Sequence, residues 1–276
     1  MNRMGFIRNQ YDPCVYNKAT EDGLVTICTH VDDLKVSSKT KEQIQKVIKQ
    51  LVNIYKEITV HEGEVHDYLG MIMEHDRETR TVKINMKKYI EDTITGITEE
   101  EPELILRHAA TPATDNLLRT RECVEKISLK QAKIYHSVIA KLLFVAKRAR
   151  PDILLTVLFL ATRVKNPDLD NWKKLLRVLG YLQGTAEITF TLTCEKLDKL
   201  TWFIDGSYAS HMDMRGQSGG VLMTGNCAVL FKSCKQKVNT RSSTEAELIA
   251  VDDMLPMIHW TRNFFKGTGI GLRSRV

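Results

Sequence analysis

The sequence lacks any apolar run approaching the roughly 18 residues that a membrane-spanning helix needs. No apolar stretch follows its first arginines, as one would in a secretory signal. It also lacks a C-x-x-C pair, because its six cysteines are scattered singly. That spacing argues against a zinc site or a disulfide framework and favours reduced thiols. We therefore expect a cytoplasmic or nuclear protein that does not span a membrane.

The bulk composition is that of an ordinary globular protein. The 276 residues suffice for two or three compact domains with sizeable cores, and 43% are hydrophobic and 27% charged. The net charge of +6 is mildly basic. It permits a polyanionic partner, although solubility alone would explain it equally well.

Hydrophobic periodicity divides the chain into segments of different structure. Residues 24–28 and 34–36 predict two strands separated by Asp32 and Asp33, and a helix with apolar positions at i, i+3 and i+4 begins near Thr40. Strand-like runs at 68–73 and 81–86, joined by the polar segment 74–78, predict a hairpin.

The second part of the chain begins with a change in composition. Gly96, three consecutive glutamates and two prolines predict a loop over 96–122. Helical segments punctuated by Pro151 and Pro167 follow over 128–183, strands return from Ile188, and a last helix begins near Ser242.

Two adjacent aspartates stand between the first two strands. A tight hairpin would hold the carboxylates of Asp32 and Asp33 at its tip, where enzymes that use two metal ions fix oxygen ligands. An isolated Asp-Asp dipeptide is more often an ordinary polar turn. The surrounding sequence has to decide between these interpretations.

A second pair of acidic residues lies near the C-terminus. Asp205 interrupts an apolar strand beside Gly206, and taken alone it is best explained as the end of a strand. Ser242 and Glu245 predict an S-x-x-E capping box at the start of the last helix. Glu247 shares a helix face with Ala250, Val251 and Met254, so we expect it to point toward Asp205.

Eight short motifs follow one another along nearly the whole chain. They are Asp12-Pro13-Cys14-Val15-Tyr16, His30-Val31-Asp32-Asp33-Leu34, Tyr68-Leu69-Gly70-Met71-Ile72, Lys87-Lys88-Tyr89-Ile90, Thr111-Pro112, Arg150-Pro151-Asp152-Ile153, Leu179-Gly180-Tyr181-Leu182-Gln183-Gly184-Thr185 and Ser242-Ser243-Thr244-Glu245-Ala246-Glu247. In this order and spacing, the motifs resemble those of the Pol polyproteins of Ty1/copia-type retrotransposons.

This resemblance implies an α+β fold: a partial reverse-transcriptase palm with thumb or connection helices, followed by a truncated RNase H-like α/β domain. The implied units are the C-terminal half of the palm with a primer-grip hairpin (1–96), a linker (97–127), a helical thumb or connection (128–186) and an incomplete RNase H-like domain (187–276). The implied activities are RNA-directed DNA polymerisation and cleavage of RNA in RNA–DNA hybrids.

The resemblance also implies roles for individual residues. Asp32 and Asp33 would form one catalytic Mg²⁺ site, and Asp205 and Glu247 another. The expected partners are an RNA template, an RNA–DNA hybrid and a full-length retroelement polymerase. Nucleic acid would contact the primer-grip segment at Tyr68, Leu69 and Gly70. It would also contact a basic stripe on a helix at Lys147, Arg148 and Arg150, and this stripe includes Lys141 as well. An ordinary solvated helix face explains the stripe about as well.

Departures from the family pattern limit the expected activity. His30 replaces an aromatic residue, and the remaining carboxylates of both sites are expected outside this chain. Pro256 should cost about 3 kcal/mol inside a helix and kink or end it near Leu255. We therefore expect the isolated chain to be inactive. The alternatives are a non-catalytic remnant that binds hybrid or polymerase, and a relic without function.

Overall fold

The computed structural model describes residues 1–121, 124–193 and 199–270, which form a mixed α and β fold with three antiparallel sheets. The strands are β1 (Ile7–Arg8), β2 (Val15–Thr20), β3 (Gly23–His30), β4 (Asp33–Ser38), β5 (Val65–Tyr68), β6 (Met71–Asp76), β7 (Thr81–Asn85), β8 (Phe190–Thr193), β9 (Leu200–Ser207), β10 (Gln217–Thr224) and β11 (Cys227–Lys235). The helices are α1 (Lys41–Tyr55), α2 (Lys87–Glu100), α3 (Leu129–Ala146), α4 (Leu154–Ala161), α5 (Leu169–Gly184) and α6 (Ser243–Thr268).

The first sheet has the strand order β1-β2-β3-β4 and packs against α1. Alternate residues of β3, Val25 and Ile27, meet Val47 and Leu51 of the helix in a small apolar core. The period-2 pattern of the strand and the i, i+4 spacing of the helix each place their apolar residues on one side. The predicted order of strand, turn, strand and helix is confirmed.

The second sheet has the order β5-β6-β7-β8. The predicted hairpin is present as β6 and β7, but β6 begins only at Met71 because Leu69 and Gly70 form a tight turn after β5. β8 comes from beyond the helices and pairs with β7, with Phe190 opposite Ile84. The predicted boundaries had grouped these residues with the C-terminal unit.

Helices α2 to α5 build the largest apolar core, which also takes in one face of the second sheet. Ser128 caps α3 in a reciprocal capping box with Gln131, and Asp168 caps α5. The helices are separated near Pro151 and Pro167, as predicted. The predicted loop starts later than expected, because α2 continues through Gly96 to Glu100.

The third sheet has the order β11-β10-β9, and α6 packs on it through Ala246, Ala250 and Met254. Ser242 caps this helix by accepting a hydrogen bond from the Glu245 N–H. The Glu245 carboxylate accepts from the Arg241 N–H, one residue before the position that a capping box uses.

A kink or a helix end was predicted near Leu255, and the helix end is wrong, because α6 continues through Pro256 to Thr268. Packing on the sheet before the proline, and contacts of Trp260 and Phe264 after it, support both halves of the helix. These tertiary contacts outweigh the hydrogen bond that the proline removes.

In the part of the chain that the structure describes, no helix is long and apolar enough to cross a membrane. Cys14, Cys28 and Cys234 are free thiols. Cys123 and Cys194, which belong to the predicted pattern of scattered thiols, lie outside the described residues.

Candidate carboxylate and nucleic-acid sites

Asp32 and Asp33 lie at the exposed tip of the β3–β4 hairpin, as the sequence predicted. His30 pairs with Asp33, so that Val31 and Asp32 form a two-residue loop. Val31 has a φ of 54° and is 94% exposed. A β-branched residue seldom adopts this left-handed conformation, and strain of this kind collects at functional sites.

The turn between β5 and β6 lies within electrostatic reach of this hairpin. Its central residues Leu69 and Gly70 both have positive φ, 55° and 73°, which a two-residue hairpin with the twist of its strands requires. Burial raises the pKa of the preceding Tyr68, and the charges of Cys28 and Asp33 raise it further. The phenol therefore stays protonated near neutral pH, with its O–H able to donate.

A stack of aromatic rings joins this turn to α3. A Cβ on Gly70 would lie 3.4 Å from the Tyr89 ring. Tyr89 stacks on Phe144 with ring centroids 5.3 Å apart. The guanidinium of Arg148 lies over Phe144, 3.5 Å from its centroid. The two groups predicted to contact nucleic acid, the Tyr68–Gly70 turn and the Lys147–Arg148 pair, thus lie at the two ends of one stack.

Tyr89 and Phe144 belong to this arrangement, although neither was predicted as a site residue. Tyr89 carried a signal, because it belongs to the Lys87–Ile90 motif, which follows the Tyr68–Ile72 motif along the chain. Phe144 stands in an apolar helix face and looks like any core residue. Only the fold shows that its ring is shared between Tyr89 and Arg148.

Asp205 and Glu247 are brought to the same end of the third sheet. The Glu247 carboxylate accepts a hydrogen bond of 3.1 Å from the backbone N–H of Gly206, the residue after Asp205. A Cβ at position 206 would lie 2.5 Å from the Ala246 carbonyl oxygen, so only glycine lets α6 approach β9 this closely. Both carboxylates are exposed.

The two acidic pairs have the donor type that Mg²⁺ prefers. Carboxylate oxygens are hard ligands, and Mg²⁺ in nucleotide-processing sites often uses one or two of them together with water and substrate phosphates. The pairs Asp32–Asp33 and Asp205–Glu247 each fit that pattern in ligand chemistry. Among the described residues, no group of three or more His, Cys, Asp or Glu side chains is placed to hold a metal ion.

Comparison with known proteins finds relatives over nearly the whole chain. The "Retrovirus-related Pol polyprotein from transposon TNT 1-94" of Nicotiana tabacum is 27% identical over 100% of this chain and 21% of its own length. The "Putative transposon Ty5-1 protein" of Saccharomyces cerevisiae is 27% identical over 92% of this chain and 80% of its own length. These relatives are Ty1/copia-type retrotransposon Pol proteins, and this chain is similar to them over most of its length.

The chain spans about a fifth of the tobacco Pol polyprotein. A third relative, the "Secreted RxLR effector protein 161" of Plasmopara viticola, is 30% identical over 46% of this chain and 89% of its own length. No protein-family model matches the chain, and no solved structure matches it.

Two of the copia-type motifs meet in the helical core, around Arg150. This side chain is only 1% exposed and forms a bidentate ion pair with Asp152, at 3.0 and 2.7 Å. It also donates to the Thr185 carbonyl and hydroxyl oxygens, at 2.7 and 2.8 Å, and the Tyr181 hydroxyl donates to Asp152 at 2.8 Å. We call these four residues the arginine clamp.

The arginine clamp corrects the predicted basic stripe. Arg150 was predicted at a nucleic-acid surface, but it is buried and its hydrogen bonds are internal, so the surface stripe consists of Lys141, Lys147 and Arg148. Burial raises the pKa of Asp152, but hydrogen bonds from Arg150 and Tyr181 outweigh it and leave the pKa below its usual value. The carboxylate is therefore charged beside the guanidinium at neutral pH.

Proposed function

We propose that this chain is the part of a copia-type Pol polyprotein that joins the end of the reverse-transcriptase palm to the beginning of an RNase H-like domain. Its activities by descent are RNA-directed DNA polymerisation and cleavage of RNA in RNA–DNA hybrids. The observation that carries the proposal is the hydrogen bond from Gly206 to Glu247, which seats the second acidic residue beside Asp205.

The N-terminal half supports the same proposal. The Asp32–Asp33 turn, the Tyr68–Gly70 turn and the Lys147–Arg148 pair would act on one nucleic acid. Asp32 and Asp33 would hold the metal, Tyr68 would contact the primer strand through its ring or hydroxyl, and Lys147 and Arg148 would neutralise phosphates. Bound Mg²⁺ supplies Lewis-acid stabilisation of the charge that develops on phosphate oxygens.

The number of carboxylates at each acidic site leads us to propose that the isolated chain is inactive. The family resemblance assigns more than two carboxylates to each site, and each pair in this chain contributes two. Two adjacent aspartates bind a pair of metals from one side only. The hybrid would therefore be held without the full set of ligands that chemistry needs.

An activity assay tests this expectation. Primer extension on an RNA template, and cleavage of a labelled RNA–DNA hybrid, should both stay at the no-enzyme background in millimolar Mg²⁺ or Mn²⁺. Asp32→Asn and Glu247→Gln should change neither the primer extension nor the hybrid cleavage that is measured. Metal-dependent synthesis that Asp32→Asn abolishes would overturn the proposed inactivity, while supporting the assignment of Asp32.

A second candidate function is a non-catalytic module that grips hybrid or pairs with a full-length retroelement polymerase. The stack of Tyr89, Phe144 and Arg148 favours it, since this basic and aromatic arrangement needs no metal to bind nucleic acid. The relative named as an effector also shows that a protein similar to half of this chain carries a name unrelated to polymerisation.

A further inference from the structure

The C-terminal half of α6 is docked on the N-terminal segment of the chain. The Trp260 indole Nε1–H donates to the Tyr11 carbonyl oxygen at 2.9 Å. The Asn9 side-chain Nδ2–H donates to the Phe264 carbonyl oxygen at 3.0 Å. These bonds join residues about 250 positions apart and thus tie the two ends of the described chain together.

The contact is closely fitted. Asn9 is 3% exposed, and its Oδ1 also accepts a hydrogen bond of 2.8 Å from the Tyr11 N–H. A Cβ on Gly267 would lie 3.0 Å from the Asn9 amide nitrogen, so a side chain there would require Asn9 to shift by a few tenths of an ångström. Trp260 stacks on Phe264, with ring centroids 5.2 Å apart, which holds the indole in place.

The docked segment runs directly into the support of the Asp32–Asp33 turn. The Asn9 N–H donates to the Val15 carbonyl oxygen at 2.8 Å. The Cys14 carbonyl oxygen accepts from both the N–H and the hydroxyl of Thr29, at 2.8 and 3.2 Å. Thr29 pairs with Leu34, and the next pair along the ladder is His30 with Asp33. Two hydrogen-bonded contacts, Trp260 with Tyr11 and Thr29 with Cys14, thus link Trp260 to the aspartate turn through the intervening chain.

The other end of α6 holds Glu247 against Gly206. Thirteen residues separate Glu247 from Trp260, which is about 20 Å along a helix. One helix therefore carries Glu247 of the second acidic pair and also contacts, through Trp260, the segment that leads to the Asp32–Asp33 turn.

We propose that the docked half of α6 is a latch, in which Trp260 and Asn9 act as positioning residues for the Asp32–Asp33 turn. The latch restrains the segment 9–15, and this segment restrains Thr29 at the base of the hairpin. The mechanical coupling stands on the contacts alone. Its importance for polymerisation rests on the proposed function.

Hydrogen exchange of the full chain, followed by mass spectrometry, tests the latch. Trp260→Phe keeps an aromatic ring over Phe264 and removes only the N–H donor. We expect amide exchange to become about two- to ten-fold faster in peptides covering 9–15 and 26–34, the change that follows from losing one hydrogen bond. Exchange in α3 to α5 should stay unchanged, and His259→Ala, an exposed position on the same helix, should have no effect.

Gly267→Ala provides a second, independent route, because its methyl group would displace the Asn9 side chain by a few tenths of an ångström without removing either donor. It should accelerate exchange in the same two peptides. Faster exchange at 9–15 with no change at 26–34 would overturn the coupling, and so would equal acceleration across the whole chain. Hybrid binding measured on the same variants addresses the proposed function separately, because the exchange result does not depend on it.

Discussion

Asp152→Ala should lower the free energy of unfolding by about 3–5 kcal/mol, the cost of leaving a buried charge without its partner. The Arg150 side chain is only 1% exposed, so water does not replace the lost carboxylate in the folded chain. Thr185 would still accept two of its hydrogen bonds, but the carboxylate that balances the charge would be gone. Urea unfolding followed by circular dichroism measures the change.

Two further variants show whether the charge is the cause. In Arg150→Met/Asp152→Leu, the buried guanidinium and its 35% exposed carboxylate partner both become apolar, and most of the loss should be recovered, because an ion pair that includes a buried charge is often replaced by hydrophobic residues at little cost. Glu91→Ala removes one of the two exposed carboxylates that pair with Lys87 and should cost less than about 1 kcal/mol. A loss below about 1 kcal/mol for Asp152→Ala would contradict the arginine clamp.

Gly206→Ala should destabilise the unit formed by the third sheet and α6 by about 1–3 kcal/mol or more, the usual range for overpacking. The new methyl group would meet the Ala246 carbonyl oxygen at 2.5 Å and the Ala250 Cβ at 3.0 Å. Because the first of these atoms belongs to the backbone, the clash can be relieved only by moving the helix. Such a movement would also lengthen the hydrogen bond from Gly206 to Glu247.

Gly219→Ala is the matched control. Gly219 lies opposite Asp205 in the sheet, but a Cβ there has its nearest neighbour at 3.9 Å. The prediction is a clear loss of stability for the first variant and little change for the second, measured by thermal unfolding. Equal stability of the two variants would show that α6 does not approach β9 as closely as described.

Local patterns in the sequence were enough to predict the elements that depend on neighbouring residues. The alternation in β3 and β4 predicted the hairpin with Asp32 and Asp33 at its tip, and the spacing of small residues in α6 predicted the side from which Glu247 emerges. Each of these patterns reports a single strand or helix face.

The missed features depend on contacts between distant parts of the chain. The pairing of β8 with β7 joins residues more than 100 positions apart. Nothing local distinguishes Arg150, which is buried, from Arg148, which lies two residues earlier at the surface. α2 runs through Gly96 and α6 runs through Pro256 because packing outweighs the low helix propensity of those two residues. The Leu69–Gly70 turn was read as strand because its flanks are apolar.

The candidate sites also combine residues that could be predicted from the sequence with surroundings that could not. The four acidic residues stood out in the sequence because each interrupts or adjoins an apolar element. Their surroundings, namely Gly206 under α6, the Tyr89–Phe144–Arg148 stack and the Trp260 latch, appear only in the folded chain. The roles of all these residues in catalysis or binding stay predictions until nucleic acid is added.

Binding of an RNA–DNA hybrid, measured by fluorescence anisotropy over a range of salt concentrations, tests the central claim most directly. We predict affinity that falls steeply with salt, and a slope reduced by about 1–2 in Lys147→Gln/Arg148→Gln, because each neutralised phosphate contact contributes about 0.9. Lys49→Gln, an exposed change on α1, should leave the slope unchanged. A flat salt profile with micromolar or weaker binding, or equal effects of the two variants, would contradict a role in handling nucleic acid.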